Sequence, residues 1–243
     1  MAKIIIAGDS YGLGEWGIGT RVTHPGINQY FREWGYNVIN CAGPGYSLEE
    51  SFWSLRDCMS NCYQTEDIVL WIQTDPSRSI DHSSLTQDLK SNNGLNPLLY
   101  DILDKNYADI NDLGKQHDTL IHAIGGLFDL RCDKTYSNLH FLIKSWMALL
   151  MQDRHPTYFE KHFGIVKSVD IKQIALEQFD HALAQKVVVE LGQWSQNDQI
   201  LDQNRHIFTD GFHPSRQGHR ILFEHLITTL NLAKLHTEFA QTD

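Results

Sequence analysis

Cysteine is scarce. Four residues, Cys41, Cys58, Cys62 and Cys132, serve a chain of 243, too few to staple a fold of this size with disulfides. Cys58 and Cys62 are four apart and share one helix face, the spacing of half a metal site, but no second pair of ligand type accompanies them. All are read as buried, reduced thiols, and no metal is expected. Positive charge is also short: 20 Lys and Arg stand against 30 Asp and Glu, a net charge of −10. That balance excludes a general binder of nucleic acid or anionic membrane, since both need a basic surface. Long apolar runs are missing. Leu139 to Leu150 is the greasiest stretch, yet His140, Lys144 and Ser145 interrupt it, and a membrane-spanning helix needs roughly 18 apolar residues. The apolar run after Met1 is too short for a secretory signal, so the expectation is a soluble, cytoplasmic protein. Internal repeats, low-complexity tracts and a Pro/Gly/Ser linker are absent too. One domain over residues 1–243 is expected, with extra helical material at about 85–203.

What is present is ordinary globular composition, 42% hydrophobic and 21% charged, enough to bury a substantial core. Lys3 to Ala7 and Asp67 to Ile72 are continuous apolar runs, the pattern of parallel strands covered on both faces. Asn37 to Asn40 and Thr119 to Ile124 read as shorter strands beside them. Helical patterns alternate with these: Ile27 to Trp34, then Leu48 to Cys62 with Ser47 as N-cap and Glu49 and Glu50 in the first turn. Residues 77–96 read as a long loop entering a short helix. Tyr136 to Met151 and Ile171 to Leu191 read as helices, although Lys186 to Glu190 also suits a strand. A last helix spans about Ser215 to Ala233, with Pro214 in its first turn. Strands alternating with helices imply βαβ units and a parallel sheet.

Two short segments carry candidate chemistry. Gly8-Asp9-Ser10 follows the first strand directly. A serine there stands at the carboxyl edge of the sheet, where open α/β folds bind ligands, and turn N–H groups can face a developing oxyanion. The plainer reading is a βα turn with Ser10 as helix N-cap. Asp210-Gly211-Phe212-His213-Pro214 lies near the other end. Asp and His three apart on a tight turn can meet, and a carboxylate on Nδ1–H leaves Nε2 as a base. The plainer reading is a loop with a surface histidine, one of 13 in the chain. Together, however, the segments supply a nucleophile, a base and an orienting acid.

On these residues the chain resembles the SGNH, or GDSL-like, hydrolase superfamily. Gly8-Asp9-Ser10 matches its first motif block and Asp210-Gly211-Phe212-His213-Pro214 its last. Asn40-Cys41-Ala42-Gly43-Pro44-Gly45 is similar to its second, an Asn and a downstream Gly whose N–H faces the oxyanion. The resemblance assigns that role to Gly45, with Gly43 as the fallback. The third block departs: the family's Gly-x-Asn-Asp stands here as Gln73-Thr74-Asp75-Pro76, placing Asp75 where an Asn donor is usual. An ionised Asp accepts only. Either Asp75 is protonated, or Gln73 or Thr74 supplies the donor, or Arg78 neutralises Asp75 and helps bind substrate.

The resemblance implies a three-layer α/β/α sandwich, with a mostly parallel sheet of about five strands in the flavodoxin-like order 2-1-3-4-5. It implies a serine esterase acting on a small-molecule or glycan ester through Ser10, Asp210 and His213, with no cofactor and no nucleic-acid or membrane partner. An O-acyltransferase with the same triad, or a non-catalytic glycan-binding protein on the same scaffold, are the alternatives. Tyr11, Trp16, Tyr46 and Phe212 cluster around the motifs and suit sugar rings, acyl chains or core packing alike. Trp71, inside a strand, is read as core, and Glu15 as a solvated loop carboxylate.

Overall fold

A computed structural model describes residues 2–17, 21–73, 97–126, 134–143, 146, 149–150 and 213–235. Five strands form one parallel sheet: β1 (Lys3–Ala7), β4 (Asn37–Asn40), β5 (Ile68–Ile72), β6 (Ile121–Ile124) and β7 (Leu139–Ile143). Their order is β4-β1-β5-β6-β7, which is the 2-1-3-4-5 order expected. A two-stranded antiparallel hairpin, β2 (Glu15–Gly17) with β3 (Arg21–His24), stands apart.

The period of two along each strand sorts side chains to opposite faces. Ile4, Ile6, Leu70, Ile72 and Ile124 face one core, shared with α2 (Ile27–Glu33) and α5 (Arg216–Thr229). Ile5, Ala7, Val69, Trp71, Ile121 and Ala123 face the other, shared with α3 (Leu48–Cys62) and α4 (Pro97–Gln116). Helices thus cover both faces, which is why β1 and β5 read as continuous apolar runs. Ile4, Ile5, Ile6 and Trp71 are fully buried, and each such side chain contributes about 1.5–3 kcal/mol by leaving water.

α3 spans the expected residues because both ends of its first turn are satisfied. Ser47 accepts from the Glu50 N–H, and the Glu50 carboxylate accepts from the Ser47 N–H, a complete capping box. At α5 the cap is Ser215, whose hydroxyl accepts from the Gly218 N–H. Pro214 therefore precedes the helix and does not begin it. Two further expectations are corrected. Leu139–Ile143, read as the start of a helix, is the edge strand β7. The helix after the 77–96 segment is not short but runs 20 residues. The first error arises because a short apolar run fits either period, and pairing with β6 decides it. The helix read at Ile171 to Leu191 lies outside the described residues.

Among the described residues, no helix is long and apolar enough to cross a membrane. Cys41, Cys58 and Cys62 are free thiols but only part-buried, so the expectation of full burial fails for them. Cys132 lies outside the described residues.

Candidate active site

The chain turns sharply as it leaves β1. Gly8 has φ +143°, and a Cβ there would lie 2.6 Å from the Ile72 carbonyl oxygen, so only glycine lets β1 and β5 stay this close. Asp9, buried, then caps the four-residue helix α1 (Ser10–Leu13) by accepting from the Tyr11 N–H at 3.0 Å. Asp9, and not Ser10, is the N-cap. This leaves the Ser10 hydroxyl out of the capping role and available to another partner.

That partner is His213. Its Nε2 lies 2.9 Å from Ser10 Oγ, across 203 positions of sequence. With Nδ1 protonated, Nε2 accepts from the hydroxyl, the geometry of a nucleophile and its base. Ser10 is 4% exposed, so the pair works largely out of water, where a hydrogen bond is strengthened. α5 places His213: the helix begins two residues after Pro214 and packs on α2 through Phe223, Leu222 and Leu226.

Two aromatic rings hold the imidazole. Trp16 stacks on it, with centroids 5.2 Å apart and planes 29° from parallel, while Tyr11 lies at 5.7 Å. The Trp16 indole N–H also donates to the Ser10 carbonyl at 2.8 Å, so one side chain touches both members of the pair. Glu15, next to it, pairs with Arg216 at 3.3 Å with its side chain 14% exposed. It belongs to β2 and ties the hairpin to α5, which corrects its reading as a solvated loop residue. Beneath the site, His219 on α5 is fully buried. Its ring meets Trp146 edge-on at 4.8 Å, and burial pushes its pKa down to about 3.

The second motif block is a brace. Asn40 donates to the Gly12 carbonyl at 2.9 Å and to Asn28 Oδ1 at 2.9 Å, and accepts from the Ala42 N–H. Asn28 donates to the same Gly12 carbonyl. These bonds lock the end of α1, the start of α2 and the loop after β4 together. Within that loop the Gly43 N–H already donates to the Gly8 carbonyl at 3.1 Å. Gly43 is therefore not a spare oxyanion donor, and the fallback is withdrawn. Gly45 stands exposed on the turn at φ +73°.

Gln73 ends β5 buried at 3% exposure. Its N–H donates to the Ile124 carbonyl, extending the pairing with β6, and its Oε1 accepts from the Tyr107 hydroxyl at 2.9 Å. Its Nε2 has no hydrogen-bond partner among the described residues. Asp210, Thr74, Asp75, Arg78 and Phe212 lie outside the described residues. The structure thus brings Ser10 and His213 together, and it adds Trp16 as a direct neighbour of both. The sequence placed Trp16 near the motif but offered no signal for which ring it would stack on. No group of three metal-ligating side chains occurs among the described residues.

No protein-family model matches the chain, and no curated protein does. Among solved structures, it is similar to a lipase/acylhydrolase from Enterococcus faecalis, with 14% identity and a TM-score of 0.41 over 97% of this chain and 100% of that one. It is also similar to a catalytic mutant of the acetylxylan esterase Axe2 from Geobacillus stearothermophilus, with 15% identity, a TM-score of 0.43 and 97% of each chain covered. A third is the C-terminal catalytic domain of peptidoglycan O-acetyltransferase A from Streptococcus pneumoniae, with 9% identity and a TM-score of 0.34 over 95% of this chain and 93% of that one. On its own strand order the chain is an α/β fold with a parallel sheet in the flavodoxin-like order, with Ser10 directly after β1 and His213 just before α5.

Proposed function

We propose that the protein cleaves carboxylic esters, O-acetyl groups on carbohydrate among them, through an acyl-enzyme on Ser10. The observation that carries this reading is the 2.9 Å approach of His213 Nε2 to Ser10 Oγ. His213 takes the hydroxyl proton as Ser10 attacks the ester carbonyl, and Asp210 holds Nδ1–H and stabilises the imidazolium. The His213 proton then passes to the leaving alcohol. Water, activated by the same imidazole, releases the acid. The Ser10 and Gly45 N–H groups face the oxyanion; at the Asp75 position either protonated Asp75 donates, or Gln73 Nε2 or Thr74 supplies the donor, or Arg78 neutralises Asp75 and helps bind substrate. No cofactor enters any step.

Labelling with a fluorophosphonate, read by intact mass, tests the reading without the true substrate. A single adduct on Ser10, lost in Ser10→Ala, is expected. His213→Ala should slow labelling and ester turnover by roughly 10²–10⁴-fold, the usual contribution of a positioned base. Unchanged turnover in that variant sinks the mechanism. Product analysis with and without an acceptor sugar tells water from a sugar hydroxyl as the acyl acceptor.

A further inference from the structure

Two of the four cysteines meet at the C-terminal end of α3. Cys58 and Cys62 are four apart on one helix face, and their Sγ atoms lie 3.4 Å from each other. The Cys62 thiol also donates to the Cys58 carbonyl at 2.8 Å. Both residues are part-exposed, so the pair is open to small molecules. Just beyond it, Lys3 Nζ donates to Gln64 Oε1 at 3.1 Å. That bond puts the end of α3 at the amino edge of the sheet, opposite the edge that carries Ser10. Cys41 is engaged elsewhere, its Sγ donating to the Ile6 carbonyl at 3.3 Å.

A close dithiol along a helix makes a poor disulfide. Cβ atoms four apart on one helix face are about 5–6 Å from each other, whereas a disulfide holds them at about 3.5–4.5 Å. Joining the two sulfurs directly therefore means deforming α3 beside Met59, which is buried in the core. A bridge through one added atom removes that conflict, because the sulfurs stay near the separation they already have. If each sulfur bonds to the shared atom at about 2.3 Å, as in a metal–thiolate bond, the 3.4 Å separation encloses an angle of about 95°. That angle suits a pyramidal centre and not a linear one. Zinc does not fit: its structural sites take four ligands, and no group of three metal-ligating side chains occurs among the described residues. The pair calls for a thiophilic centre that is satisfied by two protein sulfurs and brings its own third substituent.

We propose that Cys58 and Cys62 form a dithiol site that chelates a monosubstituted trivalent arsenical. Binding is a condensation with no change of oxidation state. Both S–H bonds and the arsenic–oxygen bonding of the free oxide break, and two As–S bonds form. The two thiol protons leave with the oxygen as one water, and the organic substituent stays on arsenic as its third bond. The first As–S bond brings the centre onto one cysteine. The second then forms within the complex, where the helix already holds the other sulfur at the required distance. Little conformational freedom is lost at that step, so the pair outcompetes any single thiol.

The site stands apart from the ester chemistry and is tested without it. The full chain is treated natively with one equivalent of phenylarsine oxide in excess glutathione. All remaining thiols are then alkylated, and intact mass and a tryptic map are read without reduction. Cleavage after Arg56 leaves Cys58 and Cys62 on one peptide, apart from Cys41 and from Cys132. The expected result is a single phenylarsenic adduct on that peptide, with both of its thiols protected from alkylation and with release by dimercaptopropanol. Cys58→Ser and Cys62→Ser should each weaken retention against glutathione by roughly 10²–10⁴-fold, the loss that follows when the second contact is no longer intramolecular. Cys41→Ser should retain the adduct as the wild type does. A wild-type chain that takes no adduct overturns the proposal. So does an adduct carried by Cys41 or Cys132, or one that either α3 serine variant retains as well as the wild type.

Discussion

At the scale of single residues, the site is organised by side chains that touch more than one partner. Trp16 donates to the Ser10 carbonyl and stacks on His213. When the imidazole takes a proton, the indole face lies against a cation, an interaction worth about 0.5–2 kcal/mol. We predict that Trp16→Leu lowers kcat on an activated ester by roughly 2- to 30-fold, while Trp16→Phe, which keeps a ring but loses the N–H, retains part of it. Equal kcat in Trp16→Leu and wild type removes the indole from proton transfer. Gly8 acts by having no side chain at all. Its φ of +143° and the 2.6 Å approach to the Ile72 carbonyl leave no room for a methyl group. Gly8→Ala should cost on the order of 1–3 kcal/mol and displace Ser10, so both the urea midpoint and Ser10 labelling should fall. Loss of labelling at full stability would instead place the effect in the turn alone.

At the scale of elements, local chemistry decides where helices start. The Ser47–Glu50 capping box fixes the first turn of α3, the helix that carries Ser54, Cys58 and Cys62. Ser47→Ala should destabilise the protein by about 1 kcal/mol, seen as a lower urea midpoint with unchanged slope. No change in midpoint would mean that α3 is held by its buried face alone, through Leu48, Leu55 and Met59. The edge strand β7 is the opposite case. Leu139–Ile143 has no cap or turn signal that sets it apart from the apolar residues after it. Its identity comes from pairing with β6, Ile121 with Leu139 through Ile124 with Ile143. The hairpin of β2 and β3 is similarly silent in sequence, because three- and four-residue strands are too short to show a period.

At the scale of the whole molecule, buried histidines link stability to pH. Burial is the main cause for both His219, pushed down to about 3, and His122, pushed down to about 4 with His140 adding to it. Each is neutral in the folded chain, while an unfolded histidine titrates near 6.5. A lowered folded pKa means that the unfolded chain binds more protons. Their contribution is therefore complete above about pH 6.5 and is lost as pH falls toward the folded values. The slope approaches about 1.4 kcal/mol per pH unit for each group. We predict a steady fall in urea-unfolding free energy between pH 7 and pH 5, made shallower by His219→Gln whatever that variant costs at pH 7. A flat profile across this window would show that the two rings protonate without unfolding.

Much of this protein was determined by its sequence alone. The runs of β1 and β5, the limits of α3 with its Ser47 cap, and the placement of Ser10 and His213 beside a strand end and a helix start are all local. Hydrogen-bond periodicity and capping act over a few neighbouring residues, so a linear reading captures them. The tertiary structure alone decided which distant groups meet. It set Trp16 over His213, bonded the Cys41 carbonyl beyond β4 to the Ser54 hydroxyl on α3, and used the Gly43 N–H to hold the Gly8 carbonyl. These contacts join residues far apart in the chain and depend on how helices dock on a sheet. No local propensity specifies that docking; it follows from burying both faces of the sheet at once.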